Sequence, residues 1–290
     1  MIFLIGIHKM LNLDFNTVLL AFGLTLFAGL STGIGSLIAL LAKRTNTRFL
    51  SVALGFSAGV MIYVSMIEVF QQANAVLTKT LGSPDGTWVT VAGFFGGILL
   101  IALIDKLVPA ADNPHELKKV ESMSSGCLHI EEIDKHPHHR GRLMRLGLFT
   151  ALAIGIHNFP EGIATFIAGL QEPSLGITIA IAIAIHNIPE GIAVSVPIYY
   201  ATGSRRKAFR WSFLSGLSEP VGGLFGFLIL MPFMNDTLFG IIFACVAGIM
   251  VFISLDEILP TAREYGEPHL SIYGMVGGMA VMAVSLLLFM

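Results

Sequence analysis

The sequence predicts an all-α integral membrane protein: eight transmembrane helices with inverted-repeat symmetry and both termini outside. Three observations predict it. Of the 290 residues, 54% are apolar and only 12% are charged, against about 25% charged in a soluble globular chain. The apolar residues gather into segments of about the 20 residues that a hydrocarbon core roughly 30 Å thick requires. Two short patterns each occur twice, on segments that the topology runs in opposite directions.

Taken in order, Met1–Leu13 opens apolar, but His8 and Lys9 follow the apolar residues instead of preceding them. That is the wrong order for a secretory signal, so the stretch reads as an extramembrane tail. The spans follow at 15–42, 50–71, 88–109, 143–169, 175–200, 207–232, 237–260 and 271–290. Polar or turn-forming runs separate them at Lys43–Arg48, Gly82–Gly86, Gln171–Ser174 and Gly266–His269. The longest break, 110–142, reads as a His-rich cytoplasmic loop within one transmembrane domain covering 1–290. Trp88, Tyr199, Tyr200, Trp211, Tyr265 and Tyr273 fall near span ends, where amphipathic rings settle at the interface.

Basic residues set the orientation. Lys43, Arg44 and Arg48 follow span 1; Lys118, Lys119, Lys135, Arg140 and Arg142 follow span 3, flanked by Lys106 and Arg145. Arg205, Arg206, Lys207 and Arg210 lie between spans 5 and 6, and Arg263 follows span 7. Of the 17 basic residues only Lys9 and Lys79 fall on the other side. The basic side is cytoplasmic, which predicts a multi-pass protein of the cytoplasmic membrane. A formal net charge of −2 gives no footprint for a nucleic-acid partner. Cys127 and Cys245 are too few for a disulfide framework or a thiolate cluster.

Ala58-Gly-Val-Met61-Ile-Tyr-Val-Ser65-Met-Ile-Glu68 in span 2 matches Ala247-Gly-Ile-Met250-Val-Phe-Ile-Ser254-Leu-Asp-Glu257 in span 7. Spans 4 and 5 repeat His157-Asn-Phe-Pro-Glu161-Gly and His186-Asn-Ile-Pro-Glu190-Gly. Both pairs are antiparallel in this topology. Such pairs suggest a pseudo-two-fold axis in the membrane plane, with a substrate site near the midplane.

The motif spacing places chemistry there. His157 and Glu161 share one face of a helix, as do His186 and Glu190. Asn158 and Asn187 sit about 100° round from them. Pro160 and Pro189 lack the N–H that would bond the carbonyls of Ile156 and Ile185. Glu219 adds a third midplane carboxylate. Ionisable groups at this depth are expensive, and their default reading is functional. Three carboxylates in low dielectric repel unless a cation neutralises them. One divalent ion nearly balances them and two over-balance by one charge, so the count leaves both open. Imidazole with carboxylate and amide oxygen, and Met61 as a soft extra ligand, suits Zn2+, Fe2+, Mn2+ and Co2+ and argues against Cu(I). These ions, with Cd2+, are read as transported substrates and not as cofactors. Glu68, Asp256 and Glu257 are candidate stepping-stones into and out of the site, or interfacial helix-end charges. The loop histidines His115, His129, His136, His138 and His139 either catch metal weakly or belong to a solvated loop.

The two H-N-x-P-E-G motifs on consecutive helices resemble those of the Zrt/Irt-like protein (ZIP) family of metal transporters, which has eight helices and both termini outside. The stretch from His157 to Gly223, with Ala201-Thr-Gly-Ser204 and Glu219, is similar to a bacterial zinc-uptake branch of that family. The resemblance implies import into the cytoplasm, a binuclear site and often a homodimer. Carried over by position, it implies one metal site of Met61, His157, Glu161, His186 and Glu190. A second would comprise Asn158, Glu161, Asn187, Glu190 and Glu219, with the two motif glutamates bridging. Some members carry Gln-Asp at the start of the second motif; His186-Asn187 puts a neutral amide where they have a carboxylate. Two other readings stay open on the residues alone. One is an intramembrane metallohydrolase, against which the chain lacks H-E-x-x-H. The other is a metal sensor or channel.

Overall fold

A computed structural model of the chain describes residues 14–41, 47–107, 137–265 and 268–289. All regular structure among them is helical. The expected N-terminal tail and most of the His-rich loop lie outside the described residues. In chain order, α1 covers Phe15–Leu41, α2 Thr47–Val64, α3 Phe70–Leu81, α4 Asp85–Leu107, α5 Pro137–Gln171 and α6 Pro173–Thr202. They are followed by α7 at Arg205–Gly216, α8 at Ser218–Phe225, α9 at Asp236–Ile253, α10 at Leu259–Tyr265 and α11 at Pro268–Phe289.

The ends are marked by residues whose chemistry stops or starts a helix. Asn235 accepts from the Leu238 N–H at 2.9 Å to cap α9, and Ser204 accepts from the Lys207 N–H at 3.3 Å to cap α7. Gly82 and Gly203 take φ of 82° and 64° just past α3 and α6, a backbone region that favours glycine. Between α5 and α6 the expected four-residue loop shrinks to Glu172, because Pro173 starts the next helix at once.

Three expected helices differ in form. Span 2 does not end near 71: helix continues through a π segment, Ser65–Val69, into α3. Polar Gln71, Gln72, Asn74 and Lys79 end the apolar run, yet the glutamines and the lysine propagate helix well, and Ala73 and Leu77 give α3 a buried face. Span 7 has the same form, with a π segment at Ser254–Ile258 between α9 and α10. In both places a serine hydroxyl bonds the carbonyl four residues back: Ser65 to Met61 at 2.6 Å and Ser254 to Met250 at 2.7 Å. Such back-bonding competes with the backbone ladder and bends helices. Span 6 breaks at Leu217 into α7 and α8, then runs through a π segment, Gly226–Leu230, to a 3-10 turn at Met231–Phe233.

Among the described residues, seven helical stretches are long and apolar enough to cross a membrane. The expected fourth span, α5, is longer still at 35 residues, but carries the polar motif and Pro160 in its middle. Large apolar side chains such as Leu99, Leu103, Val284 and Leu287 point outward, the pattern expected where hydrocarbon is the solvent. In its most apolar stretch α6 is 78% buried, whereas α4 is 17% and α11 28%, so α6 is central and the other two are peripheral.

Helices α1, α5, α6, α7 and α8 pack on one another, and α2, α3, α4, α9, α10 and α11 pack on one another. The two groups meet chiefly where α2 lies on α6 and α9 on α5. Contacts within each group repeat in pairs. Gly59 of α2 abuts the Met275 carbonyl of α11, and its pattern mate Gly248 of α9 abuts the Phe94 carbonyl of α4. Gly278 meets the Phe56 carbonyl as Gly97 meets that of Cys245. Small residues allow backbones this close, which supplies the dispersion contact that holds helices together in lipid.

Candidate metal centre

The two motif helices carry their polar residues into the middle of the first group. The i, i+4 spacing keeps each histidine and its glutamate on one face, and α5 and α6 present these faces to each other. The result is a crossed pair. His157 Nε2 lies 3.5 Å from Glu190 Oε1, and His186 Nε2 lies 3.3 Å from Glu161 Oε2. Each motif's imidazole meets the other motif's carboxylate. All four side chains are 2% exposed or less, so charge here is held in a low-dielectric interior.

Oxygen and amide groups extend the cluster. Glu219 stands in the first turn of α8, just beyond the break at Leu217. The Asn187 side-chain N–H2 donates to the Glu219 carboxylate, and also to the Ala28 carbonyl of α1 at 2.9 Å. Asn158 is fully buried without a hydrogen-bond partner at either end of its amide. Both His157 ring nitrogens and both Glu190 oxygens also lack a hydrogen bond. Such a concentration of unsatisfied buried polar atoms is unusual in a native interior. Among the described residues, no three His, Cys, Asp or Glu side chains are arranged as a closed ion cage. Imidazoles and carboxylates pair with each other instead, so an entering ion must exchange those pairs for its own bonds.

Of the remaining expected residues, Met61 is fully buried on α2. Ser57, one turn before it on the same face, donates to the His186 carbonyl at 3.2 Å, which turns that face toward α6. Glu68 is half-buried in the first π segment, well inside a helical run that continues to Leu81 and not near its end as expected. Its carboxylate lies within electrostatic reach of Glu172, at the turn between α5 and α6. Glu257 is buried in the second π segment, within electrostatic reach of His157, while Asp256 beside it is exposed. The structure thus brings together His157, Glu161, His186, Glu190, Asn187 and Glu219. Ser57 and the Ala28 carbonyl were not singled out by sequence. Ser57 sits four residues before Met61, a faint signal, and a backbone carbonyl gives none.

The family model described as ZIP zinc transporter matches residues 15–286. Similar chains include relatives named zinc transporter ZupT. That of Lysinibacillus sphaericus is 67% identical over 271 residues, covering 93% of this chain and 98% of the relative. That of Oceanobacillus iheyensis is 66% identical over 273 residues, covering 94% and 99%. That of Streptococcus mutans is 65% identical over 269 residues, covering 93% and 97%. With this coverage of both sequences, the chain belongs to the ZIP zinc transporter family.

Proposed function

We propose that this protein carries Zn2+ across a bacterial cytoplasmic membrane into the cytoplasm, through an ion site shared by α5 and α6. The single observation that carries the reading is the crossed pairing of His157 with Glu190 and His186 with Glu161, fully buried between two membrane helices. It is a transporter and not an enzyme: its relatives are named zinc transporters, and the hydrolase reading has no such support. Imidazole nitrogen and carboxylate oxygen are suitable Zn2+ ligands, and the same set admits Fe2+, Mn2+, Co2+ and Cd2+.

In this reading His157, Glu161, His186, Glu190 and Met61 hold one ion. Asn158, Asn187 and Glu219 hold a second, with Glu161 and Glu190 bridging. Glu68 serves the outer approach, and Asp256 and Glu257 the inner exit. At 35 residues α5 is about 50 Å long, enough to be an eighth crossing despite its polar centre. An even number of crossings puts both termini on one side, and the basic residues Arg205, Arg206, Lys207, Arg210 and Arg263 favour the outside for them. Opposite directions for α2 and α9 would make the paired glycine contacts an inverted repeat. The peripheral helices α4 and α11 face lipid, or a second copy in a homodimer.

The test is uptake into sealed vesicles holding a trapped zinc indicator. Wild type is expected to show saturable Zn2+ entry, and Glu161→Ala and Glu190→Ala are each expected to abolish it. Zinc bound tightly through these residues, with no entry into vesicles, would sink the carrier reading in favour of a sensor.

A further inference from the structure

Glu219 has a counterpart that carries no charge. Helix α1 crosses the α7–α8 pair at Gly29 and Gly216, and the crossing is reciprocal: a Cβ on either glycine would run into the other's carbonyl oxygen. Beside it, a Cβ on Gly29 would lie 3.4 Å from the Glu219 Cβ, and one on Gly216 2.9 Å from the Thr32 Cβ. The correspondence continues along both helices. The Ser31 hydroxyl donates to the carbonyl three residues back, as does that of Ser218. The Thr32 carbonyl abuts Gly191 and the Glu219 carbonyl abuts Gly162, the final residues of the two motifs. Gly35 abuts the Ile188 carbonyl as Gly222 abuts that of Phe159. Thr32 on α1 is therefore the mirror position of Glu219 on α8, and Asn158 on α5 mirrors Asn187 on α6.

The two mirrored pairs differ in their bonding. Asn187 is hydrogen-bonded to Glu219. Thr32 and Asn158 are both fully buried, and neither the Thr32 hydroxyl nor the Asn158 amide has a partner. Helical threonines usually fold the hydroxyl back onto the carbonyl four residues earlier. Thr25, Thr165 and Thr202 do so at 2.9, 2.9 and 2.7 Å. For Thr32 that acceptor is the Ala28 carbonyl, which, besides its place in the helix ladder, already accepts from the Ser31 hydroxyl and the Asn187 amide and so is crowded with donors. The Thr32 hydroxyl is thus denied its local bond, at the one position of α1 that mirrors a carboxylate of the candidate site.

We infer that Thr32 is a further metal-binding residue. Its hydroxyl oxygen, together with the Asn158 amide oxygen, supplies neutral oxygen donors to a divalent cation on the side of the site opposite Asn187 and Glu219. This inference rests on the transport reading. Neutral oxygen donors suit Mn2+ better than Zn2+, which is served well by imidazole. Thr32 therefore sets how well manganese competes with zinc.

The experiment compares wild type, Thr32→Val and Thr32→Ser for Mn2+ and Zn2+ uptake in sealed vesicles, at matched protein and with thermal stability checked. Valine keeps the shape and removes the oxygen; serine keeps the oxygen. Thr32→Val is expected to raise the apparent KM for Mn2+ about 10-fold or more, the scale of a perturbed metal shell, while Zn2+ changes far less and serine stays near wild type. A valine variant with the wild-type Mn2+ KM, or one that loses both ions equally, overturns the inference. If valine does not fold, Thr32→Ala is judged by the same criterion. If wild type takes up neither ion, the transport reading fails by itself, and Mn2+ affinity of the purified proteins decides the role of Thr32. Failure of wild type to bind Mn2+ would overturn that role.

Discussion

Glu219 does two things at once: it accepts a hydrogen bond from Asn187 and brings a third carboxylate beside Glu161 and Glu190. The substitution Glu219→Gln separates them. Glutamine keeps the length and a carbonyl oxygen for Asn187, and removes only the charge. Its fold and thermal stability are expected to stay near wild type, while zinc affinity, followed by competition with a chelating indicator, falls about 10–100-fold. An unchanged affinity would reduce Glu219 to a partner of Asn187. The motif residues were legible in the sequence because His and Glu at i, i+4 are costly in apolar helices, and a duplicated pair there reads by default as functional. Thr32 was not, because one threonine among many in membrane helices means nothing until its hydroxyl is seen to lack the usual bond.

Among the elements, glycine position separates packing from mere composition. Gly96 and Gly97 of α4, and Gly277 and Gly278 of α11, are adjacent pairs that read alike in sequence. A Cβ at Gly97 or Gly278 would strike the carbonyl of Cys245 or Phe56, whereas at Gly96 or Gly277 it meets nothing within 4 Å. Gly97→Ala and Gly278→Ala are therefore expected to cost about 1–3 kcal/mol through overpacking. Gly96→Ala and Gly277→Ala are expected to be neutral in thermal unfolding in detergent. Equal effects at all four positions would mean that these helices do not pack as described. The π segments at Ser65 and Ser254 and the break at Leu217 were hidden in the sequence. Apolar periodicity reports which residues face lipid, and it is blind to one extra residue in a turn. The long apolar runs of α1, α4 and α9 were plain, because length is a local property of the sequence.

For the whole molecule, the duplicated patterns suggest two sequence halves, α1–α5 and α6–α11, whose motif helices α5 and α6 pack on each other, and the glycine contacts between these halves repeat in pairs. A site on such an axis draws ligands from both halves, so neither half holds the ion alone. Zinc X-ray absorption on protein loaded with one Zn2+ reads that sharing at the ion itself. Nitrogen and oxygen ligands are expected at about 2.0–2.2 Å, with two imidazoles in wild type. One imidazole is expected to be lost in His157→Ala and one in His186→Ala. A single imidazole in wild type, or a spectrum that one of these substitutions leaves unchanged, would mean that one motif holds the ion without the other.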